Sequence, residues 1–178
     1  MTSPSDVSGG AKPRHQTTYT TPNDRELVIT RTFDAPRALV WSAFTDPAHL
    51  PNWHTGPEGF TMPVCEIDLR PGGRWRYVWR NRTGREFEAT GTYREVEPPA
   101  RFMSVTNVNG SEQTSVTTFA EEDGRTTVTL TILFMSREAR DRGMPYAKVG
   151  TESNHARLDA YLESMHRASN ITPRRAHQ

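Results

Sequence analysis

Several runs of the chain alternate apolar and polar residues with the two-residue period of a half-buried strand. The sharpest is "RWRYVWR", Arg74–Arg80, in which Trp75, Tyr77 and Trp79 share one face and arginines hold most of the other. The same alternation sets Cys65, Ile67 and Leu69 on the run before it, and Phe87, Ala89 and Tyr93 on the run after it. Val128, Leu130, Ile132 and Phe134 repeat it once more. An earlier run, "LVITRTF" at residues 27–33, is rich in β-branched residues and free of Gly and Pro. After Phe60 the β-type runs fall at 61–69, 74–80, 86–96, 102–106, 114–119 and 126–134. Their links, "RPGG", "NRTG", "EPPAR", "NVNGS" and "EEDG", are short and carry Gly or Pro, as hairpins require. Parallel pairing would need long crossovers, so the six strands form an antiparallel meander.

A helical period appears in two places. Between the first strand and the meander, Pro36 suits the first position of a helix, and Val40, Ala43 and Phe44 recur at helical spacing beside Leu39. Asp46 and Pro47 repeat the start signal, but Pro51 limits this second helix to about one turn. Trp53 and His54 follow on a loop closed by Gly56 and Pro57. From Ser136, "SREARDR" predicts a short helix ended by Gly143, and Pro145 opens a longer one running to about His166. Leu158, Tyr161, Leu162 and Met165 give that helix an inward face. Stepping back along the same face meets His155, Asn154 and Thr151 before Ala147 and Met144. A fully packed helix would be apolar there, because buried polar groups need partners or water. Either a cavity lies between helix and sheet, or the helix rolls so that these residues meet solvent.

Composition sharpens the domain boundaries. Residues 1–24 and 167–178 hold little to bury and are expected to be disordered tails around one domain at 25–166. A formal net charge of +1 gives no overall pull towards nucleic acid or anionic membrane. With one cysteine, Cys65, no intrachain disulfide is available, and no apolar segment approaches spanning length, so a cytoplasmic protein is expected. His49 and His54 lie five residues apart across Pro51, which is not ligand spacing on a helix, and no metal or cofactor is expected. Arg70, Arg74, Arg76, Arg80, Arg82 and Arg85 crowd one hairpin, but Glu86 and Glu88 on the adjoining strand can neutralise part of that charge. Glu66, Asp68 and Glu88 alternate to the outer side, away from any inner cavity.

The segments "LVITRTFDAPRALVWSAFTDPAHLPNWHTGP", "VCEIDLRPGGRWRYVW", "GTYREVEPPARF" and "SREARD" resemble the bacterial family related to the C-terminal domain of activators of the heat-shock-protein-90 ATPase. That family belongs to the START-like, birch-allergen-like (SRPBCC) superfamily, and the resemblance spans residues 26–165. It implies an α+β helix-grip fold: a curved antiparallel sheet around a long C-terminal helix, with two short helices after the first strand. Relatives in the superfamily bind lipids or polyketides, and some catalyse cyclisation or dehydration, but no family-wide catalytic residues carry over. The stretch "GTESNHARLDAYL" departs from the commoner pattern by its polarity. Three functions follow as expectations. The first is binding of an apolar or aromatic small molecule by Trp53, Trp75, Tyr77, Trp79, Phe87, Tyr93, Thr151, Asn154 and His155. The second is an enzyme of cyclase or dehydratase type, with His155 and Tyr93 as candidate acid–base groups. The third is a chaperone-associated regulator docking through the arginine-rich hairpin. The oligomeric state is open, a homodimer included.

Overall fold

The alternating runs pair into one curved, eight-stranded antiparallel sheet. Residues 16–108 and 111–171 are described in the structure, a computed structural model. In chain order the strands are β1 (Thr18–Thr20), β2 (Glu26–Phe33), β3 (Thr61–Ile67), β4 (Arg74–Arg80), β5 (Glu86–Glu97), β6 (Arg101–Val108), β7 (Ser111–Glu122) and β8 (Arg125–Leu133). Their spatial order is β1-β2-β8-β7-β6-β5-β4-β3. The meander from β3 to β8 thus ends beside β2, and one longer excursion links β2 to the far edge. That excursion holds the expected short helix α1 (Arg37–Thr45) and a single 3-10 turn, Leu50–Asn52, which starts three residues beyond Pro47 and runs through Pro51 instead of ending before it. Helix α2 (Arg137–Ile171) ends the described chain.

Strand β1 and helix α2 also differ from the sequence reading. Strand β1 lies inside the stretch expected to be a disordered tail: "TTYTT" is a short β-forming run, and Tyr19 pairs opposite Ile29 on β2. Helix α2 runs unbroken through Gly143 and Pro145, where two helices were expected. Pro145 removes one backbone bond, but Ala139, Met144 and Ala147 pack on Leu27, Ile29 and Phe134, so tertiary packing holds the helix across it. Gly143 serves that packing, since a Cβ there would lie 3.0 Å from the Phe134 ring. The helix also continues past His166 to Ile171. The remainder of both expected tails, residues 1–15 and 172–178, lies outside the described residues.

The interior is split. One apolar cluster joins Phe33, Val40, Ala43, Leu50, Trp53, Phe119 and Val128 to Leu158 and Leu162 of α2. Burial of each large side chain there contributes about 1.5–3 kcal/mol. A second, smaller cluster joins Leu27, Ile29 and Phe134 to the first turns of α2. Between the two, α2 presents Thr151, Asn154 and His155. The outer face of the arginine-rich hairpin is paired across strands: Arg76 meets Glu88 at 3.0 Å and Arg80 meets Glu86 at 2.6 Å.

Gly91 on β5 lies opposite Trp75, and a Cβ there would fall 2.4 Å from the indole. Only a residue without a side chain lets Trp75 lie across the neighbouring strand and stack on Tyr77 at 4.6 Å. Gly91→Ala is expected to cost about 1–3 kcal/mol by overpacking. Chemical denaturation measures this, and Trp75→Leu in the same chain should restore most of the loss.

Candidate functional site

The gap between the two apolar clusters is a cavity of about 80 Å³. Ile29, Val128 and Leu130 form its sheet wall, Phe44, Trp53 and His54 close one end, and Thr151, Asn154 and His155 cover it from α2. It adjoins a wider open cleft of about 890 Å³, walled by Trp79, Phe87 and Ala89 of β4 and β5 and by Tyr146, Ala147 and Gly150 of α2. His54, Thr151 and Asn154 line both spaces and so form the passage between them. Small-molecule pockets usually measure about 300–1,000 Å³, so the cleft has room for a ligand body and the inner cavity only for a small group.

Asn154 fixes the passage. Its Oδ1 accepts the Gly56 N–H at 2.8 Å and an Arg157 N–H at 2.7 Å, while its Nδ2 lies 3.1 Å from His54 Nδ1. Arg157 also donates from Nε to the Trp53 carbonyl at 3.0 Å and from NH2 to the Gly56 carbonyl. The loop from Trp53 to Gly56 is thereby tied to α2 by side chains about a hundred residues away. Trp53 Nε1 donates to the Ala43 carbonyl at 2.9 Å, and Trp79 Nε1 donates to the His54 carbonyl at 2.9 Å. His54 therefore sits among Trp53, Tyr77 and Trp79, with ring centroids 5.2, 6.1 and 5.8 Å away.

His155 is held from the other side. Its Nδ1 lies 2.9 Å from Thr17 Oγ1, which also accepts an Arg31 N–H at 3.2 Å. Arg31 is buried beneath β1 and pairs with Asp159. Phe33 meets the His155 ring edge-on at 5.4 Å. Burial lowers the His155 pKa to about 3, assisted by the Arg31 and His54 charges. Burial likewise lowers that of His54 to about 4, assisted by Arg157. Both imidazoles are neutral at neutral pH.

The residues picked from the sequence separate into three groups. Trp53, Thr151, Asn154 and His155 line the inner cavity. Trp79 and Phe87 wall the cleft, together with Thr151 and Asn154. Trp75, Tyr77 and Tyr93 line neither space. Trp75 and Tyr77 stack on each other, and Tyr93 meets the Phe102 ring edge-on at 5.8 Å. The expected acid–base pairing of His155 with Tyr93 is not assembled, because Tyr93 faces Phe102 and Tyr77 instead. Sequence reasoning passed over His54, Thr17, Arg31 and Arg157 as site residues. A β-forming run around Thr17, and Arg157 three residues after Asn154, were the signals available. Among the described residues no group of three or more His, Cys, Asp or Glu is placed to hold a metal ion, and no helix is long and apolar enough to cross a membrane.

The lowered histidine pKa values link stability to pH. Below about pH 6.5 the unfolded chain binds protons that folded His54 and His155 refuse, so stability falls as pH drops towards 4. His155→Gln keeps an acceptor for Thr17 but cannot titrate. Thermal unfolding from pH 7 to pH 4 should show a shallower decline for this variant than for the wild type; parallel declines would count against a depressed His155.

The sequence profile described as "Activator of Hsp90 ATPase homolog 1-like protein" matches residues 34–163. A search of proteins with curated function finds no match. Solved structures similar to this chain include a Rhodobacter sphaeroides protein at 26% identity and TM-score 0.79, covering 84% of this chain and 99% of that one. Protein Ms6760 from Mycobacterium smegmatis shares 28% identity with TM-score 0.73, covering 85% and 100%. The AHSA1-like protein from Aeromonas hydrophila shares 23% identity with TM-score 0.61, covering 84% and 99%, a likeness of fold. With its profile matched over most of the domain and its helix-grip architecture in common with these structures, the chain belongs to the AHSA1-like family of the START-like superfamily.

Proposed function

We propose that this protein binds an apolar or aromatic small molecule in the cleft between β4–β5 and the first half of α2. The observation that carries this reading is the pairing of an open, aromatic-walled cleft with a small polar-lined cavity at its floor. Phe87 is 40% exposed and Tyr146 83%, an unusual state for large apolar side chains facing one another across a cleft. The clamps on the Trp53–Gly56 loop favour a largely preformed site, which limits the ordering cost of binding.

The other two readings have less behind them. A cyclase or dehydratase was expected to pair His155 with Tyr93, and Tyr93 lies away from both spaces. A chaperone docking face was expected on the arginine-rich hairpin, yet Arg76 and Arg80 are matched by glutamates there, which leaves mixed charge and not a cationic patch.

Titration with 1-anilinonaphthalene-8-sulfonate tests the reading. Binding should change tryptophan emission, with Trp79→Phe removing much of the response, and should raise Tm as mass action requires. Thr151→Trp blocks the passage and should weaken binding about tenfold or more while leaving the circular-dichroism spectrum intact. Unchanged affinity in Thr151→Trp would place the probe elsewhere and count against this site.

A further inference from the structure

Two imidazoles line the inner cavity, and the bonds on their Nδ1 atoms decide which nitrogen carries the proton in each. Asn154 Oδ1 is taken by two N–H donors, so its Nδ2 donates to His54 Nδ1. Neutral His54 then holds its proton on Nε2. Thr17 Oγ1 accepts from Arg31; with its hydroxyl hydrogen turned to His155 Nδ1, His155 likewise holds its proton on Nε2.

Neither Nε2–H has a protein partner among the described residues. Nor is either sealed in: Arg31 Nε is the buried side-chain atom that lacks a partner there, and the two Nε2 atoms are not so enclosed. Both rings border the cavity with their Nδ1 atoms already engaged, so the Nε2 atoms are the ring nitrogens left for a ligand. Behind them stand two guanidinium groups, Arg157 bonded to Asn154 and Arg31 bonded to Thr17. Thr117 and Thr151 add hydroxyls that can turn to donate, and the remaining wall is apolar. Asp159 is turned to Arg31.

The geometry points to an oxyanion head-group site: a carboxylate or enolate oxygen enters the inner cavity and accepts Nε2–H bonds from His54 and His155. The ligand's aromatic or apolar body then lies in the outer cleft against Trp79, Phe87 and Tyr146. This inference rests on the proposed small-molecule site and specifies which end of the ligand goes inwards. A cavity of about 80 Å³ suits a group of a few heavy atoms, and the Arg157 guanidinium behind the His54–Asn154 pair favours an anion over a neutral or cationic head.

Three probes with one body and different heads test it: 2-naphthoate, 2-naphthalenemethanol and 2-naphthylmethylammonium, measured by calorimetry on the full chain at pH 7. The naphthoate should bind about tenfold tighter than the alcohol, as expected for hydrogen bonds to a charged acceptor, and the ammonium weakest. His54→Phe and His155→Phe should each shrink that preference. In the wild type, nitrogen-15 NMR should show both Nε2–H signals moving with naphthoate and not with the alcohol, a readout that holds even if a variant fails to fold. Equal affinity for the three probes, or a naphthoate preference with unmoved Nε2 signals, would overturn the head-group site and leave the pocket standing. Failure of all three to bind would overturn both.

Discussion

The side-chain amide of Asn154 is the constraint on which the site depends. It stands on the inward face of α2, where a polar group without partners would cost about 1–3 kcal/mol. Each of its hydrogen-bonding ends is used: the oxygen takes Gly56 and Arg157, and the nitrogen reaches His54. These bonds hold the Trp53–Gly56 loop against the helix, and through it Trp53 over the cavity. They also dictate the tautomer of His54. One residue therefore connects the helix, the loop after the 3-10 turn and the chemistry of the cavity wall.

The divided interior follows from the same constraint. Leu158 and Leu162 complete one apolar cluster, and Ala139, Met144 and Ala147 complete another. The turn between them carries Thr151, Asn154 and His155, and the polar ends of Asn154 and His155 are turned to Gly56, Arg157, His54 and Thr17 rather than packed on the sheet. Side chains committed in that way cannot fill the space over Ile29, Val128 and Leu130, and a cavity remains there. The sheet contributes by its curvature, and Phe87 and Tyr146 border the cleft that leads to it.

Much of the scaffold was legible because it is local. Period-two alternation in "RWRYVWR" and Gly- or Pro-bearing links are sufficient to place the meander, and the polar break in the face of α2 points to a gap beneath it. What could not be read arises from long-range contacts. Trp75, Tyr77 and Trp79 share a face, but a shared face is not a shared cavity: Gly91 lets Trp75 settle across the neighbouring strand, and only Trp79 reaches the cleft. His54 is an unremarkable loop residue until Asn154, a hundred positions later, bonds to its ring. Thr17 opens a short β-forming run, but its burial arises from pairing of β1 with β2 and from Arg31 and His155 below it. Pro145 and Gly143 carry the ordinary signals of a helix break, yet packing on Phe134 overrides them.

The claim that Asn154 governs the cavity is tested most directly by an NMR titration of His54 in the wild type and in Asn154→Asp. The substitution keeps the shape and the oxygen that Gly56 and Arg157 need, but places an acceptor where His54 Nδ1 now receives a hydrogen. In the wild type His54 should be neutral at pH 7, protonated on Nε2, with a pKa near 4. In the variant the carboxylate should favour the imidazolium and raise that pKa by about one unit or more. A wild-type His54 that carries its proton on Nδ1, or a titration unchanged by the substitution, would contradict the account.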